Sequence, residues 1–231
     1  MLPVIPSMGL IQYSARRVRV DTVSDFNSFL NLQQAWDRLV SEAALDHSFV
    51  SHEWIRTWWE SFGGNRKMHI VVVREGNTVV GIAPMLEDIE RFYGFKLRKL
   101  TFIWNTHVPR CDFIVADQRP DVYRALWGHI AGLGKLWDLL ILPQLSEGSP
   151  TLIRIKELSE ASGFLACTWS ADGSPYVPIR NIVLADARVR KFYWMFIYPN
   201  NPRTAVFNAM KFRMGAMMQI FGQEDPIRKC A

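Results

Sequence analysis

Four side chains with chemical potential lie close together in one stretch of the chain: His107, Arg110, Cys111 and Asp112. A histidine can act as a general base because its pKa lies near neutral pH. An arginine can bind an acidic group through two parallel hydrogen bonds. The cluster therefore predicts His107 and Asp112 as catalytic residues and Arg110 as a substrate-binding residue. In the alternative interpretation, Asp112 and Arg110 only hold the loop in place. Cys111 lacks a recognisable His/Asn partner pattern, which argues against a nucleophilic thiol.

Three tryptophans form a second candidate group. Trp54 and Trp58 lie four residues apart and Trp59 follows directly, so Trp54 and Trp58 share one face of a predicted helix. Both are predicted as substrate-binding residues that line a groove for a carbohydrate or an acyl chain. The alternative places at least two of the three in the core, where aromatic side chains at helical spacing usually belong.

Metal binding has no support in the sequence. The three cysteines form no CxxC pair, and four further histidines show no metal-ligand spacing; these residues are Cys111, Cys167, Cys230, His47, His52, His69 and His129. We expect no metal, and we interpret the four histidines as ordinary surface or strand residues. Three free thiols are typical of a reducing cytoplasm.

The positive charge of the chain is unevenly distributed. The chain has 231 residues and a net charge of +5, but residues 180–231 alone carry nine Lys/Arg and three acidic residues. The rest of the chain is nearly neutral and gives no support for nucleic-acid binding. The start of the chain has no charged region followed by a long apolar run, and no segment approaches the length of a membrane-spanning helix. A cytoplasmic location is expected.

Periodicity predicts an α+β fold with a mixed, mostly antiparallel sheet flanked by helices. The predicted helices span residues 25–40, 51–62, 120–130 and 150–162. The predicted strands span residues 17–20, 69–74, 78–86, 98–104, 112–116, 137–142 and 164–179. Pro84 predicts a bend or an edge in its strand, because proline cannot donate to a sheet ladder.

Several ordered motifs between about Trp36 and Ile179 resemble a known family. They are Ala35-Trp-Asp-Arg-Leu-Val40, Ser48-Phe-Val-Ser51, Glu53-Trp-Ile-Arg-Thr-Trp-Trp59, Val80-Gly-Ile-Ala-Pro-Met-Leu86, Asn105-Thr-His-Val-Pro-Arg-Cys-Asp112 and Trp137-Asp-Leu-Leu-Ile-Leu142. This part resembles the amino-terminal half of the CelD-like (cellulose-biosynthesis) GNAT-type acyltransferases, which are distantly similar to the FemAB proteins.

The resemblance implies a GNAT-like fold and transfer of an acyl group from acetyl-CoA or another acyl-CoA. The implied acceptor is an amine or hydroxyl of a cell-envelope or polysaccharide precursor. Family members continue with a second GNAT-like half, whereas only 52 residues follow Ile179 here, and their sequence does not match that half. The implied organisation is an arm (1–20), a GNAT-like domain (21–179) and a basic, Met-rich tail (180–231), as a truncation or frameshift would produce.

Coenzyme binding in this family uses a glycine-containing turn before a helix, whose backbone N–H groups hold the pyrophosphate. The corresponding segment, Ala116-Asp-Gln-Arg-Pro-Asp121, has no glycine and carries two carboxylates. Gly132-Leu-Gly134-Lys135 follows a predicted helix and is typical of a helix end. Ser146-Glu-Gly-Ser-Pro150 precedes a helix and suits either an anion site or a simple N-cap.

Two functional hypotheses remain open. The chain is either an acyl-CoA-dependent acyltransferase that lacks its catalytic half, or a non-catalytic binding or assembly module with a degenerate GNAT fold. Residues 202–221 combine basic and apolar side chains, which suits contact with a membrane surface or a partner. The alternative for this tail is an out-of-frame segment without a role.

Overall fold

The computed structural model describes residues 18–45, 48–92, 95–134, 136–176 and 188–199. These residues form a mixed sheet of eight strands, mostly antiparallel, flanked by helices. The predicted fold class is therefore confirmed. Residues 1–17 of the predicted arm and 200–231 of the predicted tail lie outside the described residues. No described helix has both the length and the apolar character needed to span a bilayer.

The first half of the chain contributes one strand and three helices before the main hairpin. These are β1 (Val18–Val23), α1 (Phe26–Leu30), α2 (Gln33–Glu42) and α3 (His52–Phe62). The single helix predicted over residues 25–40 is divided in two. The side chain of Asp25 caps α1 by accepting a hydrogen bond from the backbone N–H of Ser28 at 2.8 Å, and the chain turns at Asn31 and Leu32 before α2 begins.

The remaining elements are four strands in succession, then a helix, a strand, a helix and two final strands. They are β2 (Lys67–Glu75), β3 (Thr78–Phe92), β4 (Phe95–Phe102), β5 (Ile114–Val115), α4 (Pro120–Gly132), β6 (Leu139–Ser146), α5 (Pro150–Ala161), β7 (Phe164–Tyr176) and β8 (Arg188–Pro199). The strand order is β1-β2-β3-β4-β6-β8-β7, and β5 pairs with β3. Among the described strands, β4 and β6 form the parallel pair, through residues 99–101 and 139–141.

β8 lies in the segment that the sequence analysis assigned to the tail. It pairs with both β6 and β7, and its residues Met195 and Ile197 are fully buried. The continuous apolar run from Phe192 to Tyr198 is typical of a strand buried on both faces. This pattern could have been recognised from the sequence. Cys167 in β7 is disulfide-bonded, so the expectation of three free thiols is wrong for this residue.

One face of the sheet packs against α4. A Cβ atom added at Gly81 in β3 would collide with the side chain of Val122 in α4, so Gly81 points toward this helix. Side chains alternate between the two faces of a strand, which places Met85 and Glu87 on the same face. His69 is the cross-strand partner of Met85 and shares this face.

Candidate functional site

The loop that carries the predicted catalytic residues interrupts the pairing along β3. Met85 to Phe92 of β3 pair with β4, and Gly81 and Ile82 pair with β5. Pro84 lies between these two stretches, and its carbonyl accepts a hydrogen bond from the backbone N–H of Ile103 at 3.0 Å. N–H and C=O of one residue point to the same side of an antiparallel strand. The N–H that proline lacks would therefore face the side that β4 has just left. For this reason Pro84 weakens the hydrogen bonding between the strands only slightly.

Residues 103–113 fill the space where β4 and β6 separate. The backbone N–H of Cys111 donates to the carbonyl of Gln144 in β6 at 3.1 Å. Val108, Cys111, Asp112 and Phe113 are all buried. Ligands of open sheets commonly bind at the carboxyl ends of parallel strands, and in this structure the chain itself occupies that position.

Asp112 fastens this loop to the start of α5. Its Oδ1 accepts hydrogen bonds from the Ser149 hydroxyl at 3.0 Å and from the Phe113 backbone N–H at 2.8 Å. Burial raises the pKa of Asp112 to about 6, although hydrogen bonds from Thr151, Ser149 and Phe113 act in the opposite direction. Asp112 is only 5% exposed, as the structural alternative requires. Its catalytic role stays a prediction.

The polar network continues away from Asp112. The Thr151 hydroxyl donates to the Tyr123 hydroxyl at 3.4 Å, and both residues are buried. Burial raises the pKa of Tyr123 to about 12. Burial, with a smaller effect of the neighbouring Asp112, also raises the pKa of the Cys111 thiol. Cys111 therefore stays protonated near neutral pH, which agrees with the argument against a nucleophilic cysteine.

The other predicted site residues of the loop lie nearer the surface. His107 is exposed, and its backbone N–H donates to the side-chain oxygen of Asn105 at 3.0 Å. Arg110 is half-buried. The structure thus brings His107, Arg110 and Asp112 into one loop but leaves the carboxylate beneath the surface. The roles of His107 as a base and Arg110 as a substrate ligand stay predictions.

The two tryptophans predicted to contact substrate differ in burial. Trp58 is 4% exposed and belongs to the hydrophobic core. Trp54 is half-buried and meets the ring of Phe49 edge-on, with centroids 4.9 Å apart. Both indole N–H groups are buried without an acceptor among the described residues. Trp58 therefore packs as the structural alternative describes, and a substrate contact by either tryptophan stays a prediction.

The turn before α4, where the family resemblance places the coenzyme pyrophosphate, has an unusual backbone. Asp117 and Gln118 have φ values of 50° and 51°, in the left-handed region that favours glycine. The guanidinium of Arg119 contacts the carboxylates of Glu75 and Asp121, each at 2.6 Å. The arginine is thus already engaged by two acids, while Asp117 adds a further negative charge. This donor set does not fit a pyrophosphate.

Two other segments considered for anion binding have structural roles. The Ser149 hydroxyl caps α5 by accepting from the Thr151 backbone N–H at 3.1 Å, and the residue is buried. It is therefore an N-cap, as one of the two sequence interpretations proposed. Gly132 ends α4, and the backbone N–H of Gly134 donates to the carbonyl of Ala131 at 3.0 Å. This segment closes a helix end, as predicted.

The sequence analysis missed a histidine–carboxylate pair on the face that carries α4. His69 Nδ1 lies 3.0 Å from Oε1 of Glu87, which orients Nδ1–H toward the carboxylate. His69 is 5% exposed, and its Nε2 has no hydrogen-bond partner among the described residues. His69 lies in β2, as the interpretation as a strand residue expected. The same interpretation is wrong for His52, which is buried in α3 with its ring stacked on Phe29.

This pair borders a cavity of about 420 Å³. The cavity lies at the amino end of β2, beside residues Ser24 and Phe26 that follow β1, and the indole of Trp59 reaches it from α3. Nearby, burial lowers the pKa of His129, and its Nε2 lies 2.7 Å from the Thr22 hydroxyl. The neutral form of His129 is therefore favoured. Finding this site from sequence would have required the register between β2 and β3.

Comparisons with known proteins gave structural neighbours only. No family model matches the chain, and no curated protein matches it. Similar solved structures include a GNAT-family acetyltransferase of Streptococcus pneumoniae (7% identity, TM-score 0.43, 79% of this chain and 99% of that one). Others are a ribosomal-protein-alanine N-acetyltransferase of Brucella melitensis (15%, 0.40, 77% and 98%) and a spermidine N-acetyltransferase of Vibrio cholerae with CoA and spermine (10%, 0.37, 78% and 95%). Similarity at this level carries no argument about activity.

Proposed function

We propose that this chain is an acyltransferase-type domain that binds an acyl acceptor and does not carry out acyl transfer by itself. The proposal rests chiefly on one observation: Arg119, the cation of the turn before α4, is already bound by the carboxylates of Glu75 and Asp121. The proposal combines the resemblance of residues 36–179 to acyltransferases with the hypothesis of a non-catalytic binding module.

The charges around this turn oppose a pyrophosphate. The carboxylates of Asp121 and Glu75 contact the guanidinium of Arg119, and Asp117 contributes a third carboxylate to the same turn. A helix amino terminus carries a partial positive charge equivalent to about half an elementary charge, too little to offset the excess of carboxylates. A coenzyme phosphate at this position would meet net repulsion.

The space between β4 and β6 supports the same conclusion. The loop of residues 103–113 is anchored there by the backbone hydrogen bond from Cys111 to Gln144 and by the hydrogen bond from the Ser149 hydroxyl to Asp112. A thioester could enter only if this buried loop moved. Displacing it would expose the side chains of Val108 and Phe113 to water, which is unfavourable.

A complete acyl-CoA-dependent acyltransferase is the second candidate. It is favoured by the exposed imidazole of His107 and the half-buried Arg110, which lie near the carboxyl ends of β4 and β6. In this candidate, His107 would take the proton from an amine or hydroxyl of a cell-envelope or polysaccharide precursor, and Arg110 would bind an acidic group of that acceptor. The absence of a fitting phosphate site places it second.

Calorimetric titration of the purified chain with acetyl-CoA tests the choice. We expect no measurable binding and no thioester cleavage, while a cooperative thermal melt shows that the protein is folded. Micromolar binding together with thioester cleavage that His107→Ala abolishes would reject the proposal in favour of the second candidate. Glu157→Gln, at an exposed position of α5, serves as the control for nonspecific effects of substitution.

A further inference from the structure

The cavity beside His69 and Glu87 exists because two neighbouring strands end at different levels. The last paired residue of β1, Val23, lies opposite Ile70, whereas β2 begins at Lys67. The stretch of β2 before Ile70 therefore has no strand partner on its β1 side. The chain after β1 turns into α1 here and leaves a recess against the sheet edge.

The recess combines apolar walls with polar groups on one side. Phe26 and Trp59 provide aromatic surface, and Ser24 contributes a hydroxyl. Lys67 and Glu87 are cross-strand partners, so their side chains lie on the same face of the sheet, as does His69. A small molecule in the recess would therefore meet an aromatic surface together with an ammonium group and a carboxylate.

Glu87 is the member of the pair that a ligand can reach. Its side chain is 27% exposed and that of His69 is 7% exposed. The hydrogen bond from the His69 ring fixes one oxygen of Glu87 and leaves the carboxylate able to accept from a ligand. His69 is thus a positioning residue, and Glu87 is the contacting residue.

From this arrangement we propose that the cavity binds a small molecule that carries both a hydroxyl and an anionic group. The hydroxyl donates to Glu87, the anionic group lies near Lys67, and the carbon skeleton rests on Phe26 and Trp59. The inference rests on the proposed acceptor-binding function and names the chemical class of that acceptor.

The charge around the cavity favours this class over a protonated amine. Arg66 and Lys67 are cations, and Glu87 is the single carboxylate among the residues that line the cavity. Arg66 donates to the carbonyl of Phe62 at 2.6 Å and lies 3.5 Å from Asp88, so Lys67 is the lining cation that we assign to the ligand. An ammonium group would be repelled by Lys67 and Arg66, whereas an anion is attracted.

A titration with glycerol phosphate, monitored through changes in the NMR signals of the protein, tests the proposal. We expect saturable shifts confined to residues around the cavity. Glu87→Gln is expected to weaken binding about tenfold, since hydrogen bonds to charged groups contribute about 1.5 kcal/mol or more. Lys67→Met is expected to weaken it as well and to reduce its sensitivity to salt. Glu157→Gln, which removes an exposed carboxylate of α5, should leave binding unchanged.

Inorganic phosphate and ethanolamine are the matched probes. Both should bind more weakly than glycerol phosphate, because each lacks one of the two required groups or carries the wrong charge. The proposal is overturned if glycerol phosphate fails to bind, if phosphate alone binds equally well, or if ethanolamine binds more tightly. The acetyl-CoA titration distinguishes failure of this cavity proposal from failure of the proposed function. Coenzyme turnover with an inert cavity rejects both proposals, whereas glycerol phosphate binding together with coenzyme turnover rejects only the claim of inactivity.

Discussion

At the scale of single residues, Asp112 shows how burial changes the chemistry of a carboxyl group. Its pKa rises from 3.8 to about 6, so between these two pH values the folded chain holds a proton that the unfolded chain has released. Below pH 3.8 both states are protonated, and this residue then imposes no electrostatic cost on folding. As the pH rises toward 6, the unfolded state is increasingly favoured, because its carboxylate is solvated.

The Asp112→Asn variant tests the predicted direction of this pH dependence of stability. A shift of about two pKa units corresponds to about 3 kcal/mol, so wild-type protein should lose about this much unfolding free energy, relative to the variant, between pH 4 and pH 7. The amide retains an oxygen that can accept from Ser149 and Phe113. Chemical denaturation at a series of pH values measures the difference, and Asp37→Asn at an exposed position of α2 is the control. Parallel pH profiles for wild type and Asp112→Asn would contradict the assignment.

The sequence alone could identify Asp112 but not the His69–Glu87 pair. Asp112 stands in a compact cluster of polar residues, which local inspection detects. His69 and Glu87 are 18 positions apart, and they meet only because β2 and β3 pair in one register. A one-residue slip would move one of the partners to the opposite face of the sheet, and no local pattern fixes that register.

At the scale of elements, the contact between β3 and α4 depends on the absence of a side chain. Gly81 lets Val122 approach the backbone of β3 directly. Gly81→Ala would force the helix or the strand to move, and such overpacking typically costs 1–3 kcal/mol.

We therefore expect Gly81→Ala to lower the unfolding free energy by about 1–3 kcal/mol in urea denaturation. Val122→Ala would leave room for the new methyl group, so the double variant should recover part of the loss. A double-mutant cycle measures this coupling. Strict additivity of the two substitutions would show that the predicted collision does not occur.

Helix and strand periodicity predicted most elements, and the exceptions have local causes. The turn at Asn31 and Leu32 divides the first predicted helix, although its apolar spacing is continuous. β3 extends to Phe92, beyond the predicted end at residue 86, because its residues from Met85 to Phe92 pair with β4. Apolar spacing indicates which face is buried but does not determine where the backbone hydrogen bonds stop.

At the scale of the whole molecule, β8 joins the edge strand β7 to the rest of the described sheet. It lies between β6 and β7, and Ile197 is fully buried. Ile197→Ala should cost about 2–5 kcal/mol, the usual range for truncating a buried isoleucine. The melt should stay a single transition if β8 belongs to the same cooperative unit as the rest of the sheet.

Ile153→Ala is the matched control, because Ile153 in α5 is 54% exposed. It should change the unfolding free energy by no more than about 0.5 kcal/mol. Differential scanning calorimetry compares the two variants. Equal, small effects of both substitutions would indicate that β8 is an independent appendage, as the sequence-based division at residue 179 proposed.

The position of β8 also has a consequence for synthesis on the ribosome. β6 and β7 are translated before β8, yet each needs β8 as its neighbour. Until residue 199 has emerged, the nascent chain exposes two strand edges with unpaired backbone groups, which are open to pairing with other chains. The growing polypeptide therefore has a late interval in which its solubility depends on how quickly its last described strand arrives.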